Sequence, residues 1–177
     1  MATGKGWNES VVEVAGAKMH LARAGRGRPV LVLHHDIGSP DRLPFYDELA
    51  GHFEVLIPHH PGYGKSERPQ WLRNVRDVAV IYQWLLSDLG IERASLIGLG
   101  FGGWIAAEMV TMAPREFHRL VLVGAMGLKP PDGDIFDRRS SAISTTRRPD
   151  FTTRRPSRGS MAMFRPTSWS NGICAAR

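Results

Sequence analysis

Six residues, Gly98-Leu99-Gly100-Phe101-Gly102-Gly103, stand where a buried-looking apolar run, Ala94 to Leu99, gives way to a helical stretch, Phe101 to Ala113. Written G-x-S-x-G, such a strand-to-helix turn presents a serine hydroxyl for attack on an acyl carbon. Here the central position is Gly100, so the turn is kept and the attacking atom is missing. Glycine adopts the left-handed backbone of that turn without a Cβ penalty, so the turn is expected to form. Gly98 and Gly102 suit a close strand-helix approach whether or not chemistry follows.

Two further clusters could act beside it: His34-His35-Asp36 and His59-His60, each following an apolar run. Imidazole with carboxylate suits zinc or iron. Adjacent residues of an extended chain point to opposite faces, however, so at most one histidine of each pair readily converges. The expectation is therefore a polar pocket lining built from His34, His35, His60 and Asp36, with no metal and no cofactor. Gly64-Lys65-Ser66 invites a phosphate-loop reading, but the first glycine of that motif would fall on His59, which removes it. Only His118 follows the turn, and it is expected at the surface, away from the pocket. Asp132, Asp134 and Asp137 could imitate an acid position, but loop carboxylates are usually just solvated.

The elements that must position these groups alternate. Val30–Leu33, Phe53–Ile57, Ala94–Leu99 and Leu120–Val123 are short continuous apolar runs, the form of parallel strands covered on both faces. Between them, 45–52, 75–89 and 101–113 read as helices, and Val78, Ile81, Tyr82, Leu85 and Leu89 recur at helical spacing before the stop signal Gly90. Residues 11–24, with Gly16 inside, read as an antiparallel hairpin at a sheet edge. Trp71, Trp84 and Trp104 are expected as core or pocket mass, since no basic residues interleave with them. The fold class is α/β with a mostly parallel sheet and flanking helices, whose ligand-binding loops lie at the strand carboxyl ends.

An apolar fraction of 42% in 177 residues fits one globular domain with a substantial core. The net charge of +6 is confined to the end of the chain. Residues 138–177 hold nine Arg and one acid, whereas the preceding residues are slightly acidic, so nucleic acid is not an expected partner of the body. The organisation expected is a domain over 1–137 and a basic low-complexity tail over 138–177, either a disordered arm or the product of an out-of-frame reading. The single Cys174 excludes a disulfide framework within the chain, and no apolar stretch is long enough to span a membrane. A cytoplasmic protein is expected.

Three segments carry a family resemblance. The run Leu31 to Leu33 followed by His34-His35-Asp36-Ile37-Gly38 resembles an apolar strand followed by H-G-x-x-G, with His35 in place of the first glycine. Pro58 to Ser66 resembles D-x-P-G-x-G-x-S, with histidine where the acid is common, and Ser95 to Ala107 resembles the nucleophile elbow and its helix. Over about residues 11–137 the chain resembles the N-terminal portion of the α/β-hydrolase-fold superfamily. That resemblance implies a small-molecule hydrolase of ester, amide or C–C bonds, with oxyanion donors at the N–H groups of Asp36 and Phe101. It also implies that the acid and histidine of the triad come after the elbow, where this sequence has no histidine beyond His118. The expectation is a C-terminally incomplete, catalytically impaired member, or else a non-catalytic small-ligand module, which self-associates through an uncovered sheet edge.

Overall fold

A computed structural model describes residues 6–38 and 43–127. The tail expected over 138–177 and the carboxylates Asp132, Asp134 and Asp137 lie outside the described residues. Strands β1 (Asn8–Val14), β2 (Ala17–Ala24), β3 (Pro29–Leu33), β4 (Glu54–Pro58), β5 (Ala94–Leu99) and β6 (Phe117–Val123) alternate with helices α1 (Pro44–Ala50), α2 (Val75–Asp88) and α3 (Phe101–Met112) after the opening hairpin. They form one sheet in the order β1-β2-β4-β3-β5-β6. β1 and β2 run antiparallel to their neighbours, and β4, β3, β5 and β6 are mutually parallel.

The hairpin closes because Ala15 and Gly16 both take positive φ, the two-residue turn that matches strand twist. From β3 the chain goes to β4 on one side and returns through α2 to β5 on the other. The strand order therefore reverses at β3, and the crevice for a ligand opens at the carboxyl ends of β3 and β5.

Strand period 2 divides the core in two. Leu31, Leu33, Leu56 and Leu96 join Ile81, Tyr82 and Leu85 of α2 and Ile105 and Met109 of α3 on one face. Val30, Val32, Val55 and Ile57 meet Tyr46 of α1 on the other. The four positions Val78, Ile81, Tyr82 and Leu85 are all buried, as their spacing requires. α2 begins with a reciprocal cap, in which the Asp77 N–H donates to Asn74 and the Asn74 N–H to the Asp77 carboxylate. It ends on Gly90 (φ +68°), with Ile91 N–H donating to Leu86 O at 2.8 Å and Gly90 N–H to Ser87 O at 2.9 Å.

β6 starts three residues before its apolar run because buried Phe117 pairs with Ala94. A bulge follows, Ser95 pairs with Arg119, and the skipped residue, His118, is exposed. The tryptophans depart from expectation. Trp71 and Trp84 lie together on the surface at 42% and 47% exposure, their ring centroids 6.3 Å apart, and Trp104 is partly exposed against the edge of Phe101. Each is only partly covered, which large aromatics tolerate.

Candidate functional site at the strand ends

The turn between β5 and α3 has the strained geometry that its motif predicts. Gly100 sits at φ +54° and ψ −112°, a backbone that costs any L-residue energy. Both sides of the sheet hold it there. Gly100 N–H donates to Val123 O at 2.9 Å, Met126 N–H donates to Gly100 O at 2.9 Å, and Gly102 N–H donates to His34 O at 3.1 Å. Gly98 lies so close to α3 that an added Cβ would stand 2.5 Å from Gly103 Cα. The glycines of the motif are thus fixed by strand-helix contact, and Gly100 additionally by its φ.

What stands over Gly100 is the ring of His35. A Cβ built on Gly100 would lie 2.5 Å from His35 Nε2, closer still to Cδ2, and 2.9 Å from Cγ. Separations below 3.0 Å are not sustained by real Cβ atoms, so a side chain at residue 100 and this placement of His35 exclude each other. The two departures from the motifs, His35 for glycine and Gly100 for serine, thus meet at one place, where a side chain at residue 100 would require the His35 ring to shift. His35 is placed by a tight turn in which Gly38 N–H donates to His35 O at 3.1 Å, and its Nδ1 pairs with the Asp36 carboxylate.

His34 and His60 also converge, one from each pair as strand alternation requires, but they meet inside the protein. Their ring centroids are 3.7 Å apart and each residue is 1% exposed. The His60 N–H donates to His34 Nε2 at 2.9 Å, which leaves the His34 proton on Nδ1, facing the His35 carbonyl at 2.7 Å. His60 Nε2–H donates to His34 O at 2.8 Å, and its Nδ1 accepts the buried Tyr82 hydroxyl. Burial first, then the neighbouring His34, pushes the His60 imidazole down to about 3, and burial lowers His34 and raises the Tyr82 phenol. Both imidazoles are therefore neutral at pH 7, with every ring nitrogen occupied. They clasp β3 to β4 and hold the carbonyl that anchors α3.

His60 has a second aspect, since with Tyr63, Val78 and Phe101 it lines a cavity of about 230 Å³ whose wall also includes Arg68 and Arg73. The Phe101 ring meets His60 edge-on at 5.7 Å. As the first residue of α3, Phe101 carries an N–H that a helix leaves without an intrahelical partner. Of the predicted pocket residues, His60 and Phe101 face this cavity, His35 and Asp36 lie at the elbow, and His34 is enclosed. His59 turns the other way, 4.7 Å from the ring of His20. Among the described residues no group of three His, Cys, Asp or Glu could hold a metal ion.

The sequence named Ser66 only as a motif letter and gave His20 no role, yet the two meet. His20 N–H donates to Ser66 Oγ and Ser66 Oγ–H to His59 O, both at 2.9 Å, while His59 and Glu67 N–H donate to the carbonyls of His20 and Lys18. The serine of the P-G-x-G-x-S loop staples that loop onto β2.

The α/β hydrolase fold family matches residues 29–163. This chain belongs to that family. A 2-hydroxymuconate semialdehyde hydrolase of Pseudomonas sp. (strain CF600) is 35% identical over 125 residues, covering 66% of this chain and 43% of that protein. A 2-hydroxy-6-oxo-2,4-heptadienoate hydrolase of Pseudomonas putida is 29% identical over 126 residues, 67% of this chain and 45% of that one. Among solved structures, Cfl2 from Burkholderia cenocepacia superposes with a TM-score of 0.65 at 26% identity, over 77% of this chain and 48% of that one. The chain spans under half the length of these curated relatives. The family match runs past the boundary expected at residue 137. Among the described residues no helix is long and apolar enough to cross a membrane.

Proposed function

We propose that this chain is a member of the α/β-hydrolase family in which the serine-dependent step is lost, and that its strand-end pocket still receives a small organic molecule. The observation carrying this reading is the His35 ring in the space that a side chain at residue 100 would need. As the His35 ring stands, the space beside Gly100 holds an imidazole where the motif has a serine hydroxyl. The ligand class proposed is small acids and carbonyl compounds, as in the names of the semialdehyde and oxo-dienoate hydrolases it resembles, with an ester, amide or C–C bond as the bond class that the family resemblance implies. The chain is placed in the cytoplasm on its lack of a disulfide framework, and it self-associates through β6, whose Val123 is half exposed. A monodisperse monomer in light scattering would remove that last element.

The test of the lost serine step is pre-steady-state hydrolysis of p-nitrophenyl acetate. A serine acyl-enzyme releases a burst of nitrophenol equal to the protein concentration. No burst is expected here, and a stoichiometric burst would overturn the proposal.

A second reading, a non-catalytic ligand module, is favoured by the cavity beside Phe101, with two arginines in its wall and neutral His60 at its base. Thermal-shift measurements with small carboxylates test it: stabilisation lost in Arg73→Ala supports the module, and no shift with any of them removes it.

A further inference from the structure

We propose that Asp36 and His35 form a general-base dyad that activates water at the elbow and hydrolyses small activated esters without a covalent intermediate. This rests on the reading that no serine attacks at residue 100. Three observations converge on it. The His35 Nδ1 stands against the Asp36 carboxylate, and a hydrogen bond between them would keep the proton on that nitrogen and leave Nε2 as the basic one. Nε2 is one of the three heavy atoms nearest the place a Gly100 side chain would occupy. The His35 side chain is 42% exposed, so water reaches it, whereas the buried His34 and His60 have no ring nitrogen to spare.

The step balances without any further reactant. Nε2 takes a proton from water as the water oxygen bonds to the ester carbonyl carbon, and the carbonyl electron pair moves onto its oxygen, beside the Phe101 N–H at the start of α3. On collapse the bond to the leaving oxygen breaks, and the alkoxide takes the proton back from Nε2. Acid and alcohol leave, and His35 returns to its neutral form. Gly100 contributes by being small, since any side chain there would displace the ring that acts.

Steady-state hydrolysis of p-nitrophenyl acetate by the full chain tests this with two variants and a rescue. The wild type is expected to exceed the buffer rate; His35→Ala should lower the protein-dependent rate about 100-fold, and added imidazole should restore part of it. Asp36→Asn, which keeps the ring, should lower the rate at least about tenfold. Protein-dependent hydrolysis absent in the wild type, or unchanged in a folded His35→Ala, would overturn the dyad. A fluorophosphonate probe separates the two levels. An adduct on a serine defeats the reading beneath the proposal, while unlabelled protein whose turnover ignores His35 defeats the dyad alone.

Discussion

His34 and His60 hold each other through main chain and side chain at once: the His60 N–H donates to His34 Nε2 at 2.9 Å, and His60 Nε2–H donates to the His34 carbonyl at 2.8 Å. That same carbonyl accepts the Gly102 N–H at 3.1 Å, so one buried oxygen ties β3, the loop after β4 and the start of α3. The reciprocal bond makes two strand ends into one rigid base under the elbow.

Removing the donor at the far end of this chain should be costly for its size. Tyr82→Phe deletes only a hydroxyl, but it leaves the buried His60 Nδ1 without a proton donor, at a cost of about 1–3 kcal/mol. His60→Ala strands both the Tyr82 hydroxyl and one bond to His34 O and opens a void, and should cost more than Tyr82→Phe. Urea midpoints at constant slope measure both. A Tyr82→Phe protein as stable as the wild type would show that the bond contributes nothing.

The same burial predicts an acid sensitivity with a definite sign. Unfolded, His60 titrates near its ordinary value of 6.5, and folded at about 3. Between those values the unfolded chain holds the proton and the folded chain does not, so stability is full above about pH 6.5 and falls as pH drops toward 3. His34, lowered by the same desolvation, adds in the same direction. The limiting slope for one such group is about 1.4 kcal/mol per pH unit. Comparing denaturation of wild type and His60→Gln across that range isolates the contribution. Parallel curves would contradict a buried neutral His60.

The cap of α2 offers a control far from the site. Asn74→Ala should destabilise by about 1 kcal/mol, and Asn74→Ser should recover most of it, because either side-chain oxygen accepts the Asp77 N–H at the helix start. Thermal denaturation of the two variants measures this. Equal melting for Asn74→Ala and wild type would mean that the cap is idle.

The fold was legible where one local signal sufficed. Apolar runs located β3 to β6, three- and four-residue spacing located α2, and Gly16 marked the hairpin turn. Alternation along strands also showed that only one histidine of each pair could converge. It could not show that the converging pair would be enclosed, because that depends on Tyr82, which reads from spacing alone as another apolar position of α2. Nor could spacing place His35 over Gly100, since a four-residue turn ending at Gly38 sets that direction. The surface positions of Trp71 and Trp84 escaped for a related reason: they cover each other from different segments, a pairing that no local pattern encodes.

His35 and a side chain at residue 100 compete for one space, and a double-mutant cycle measures that competition directly. Gly100→Ser should destabilise the native protein through both its φ of +54° and the clash with the imidazole, whereas in a His35→Gly background only the backbone part remains. The predicted result is a coupling of about 1–3 kcal/mol, with Gly100→Ser less costly once His35 is gone. Additivity within about 0.5 kcal/mol would contradict the account, because it would mean that a serine fits beside His35 as the chain stands.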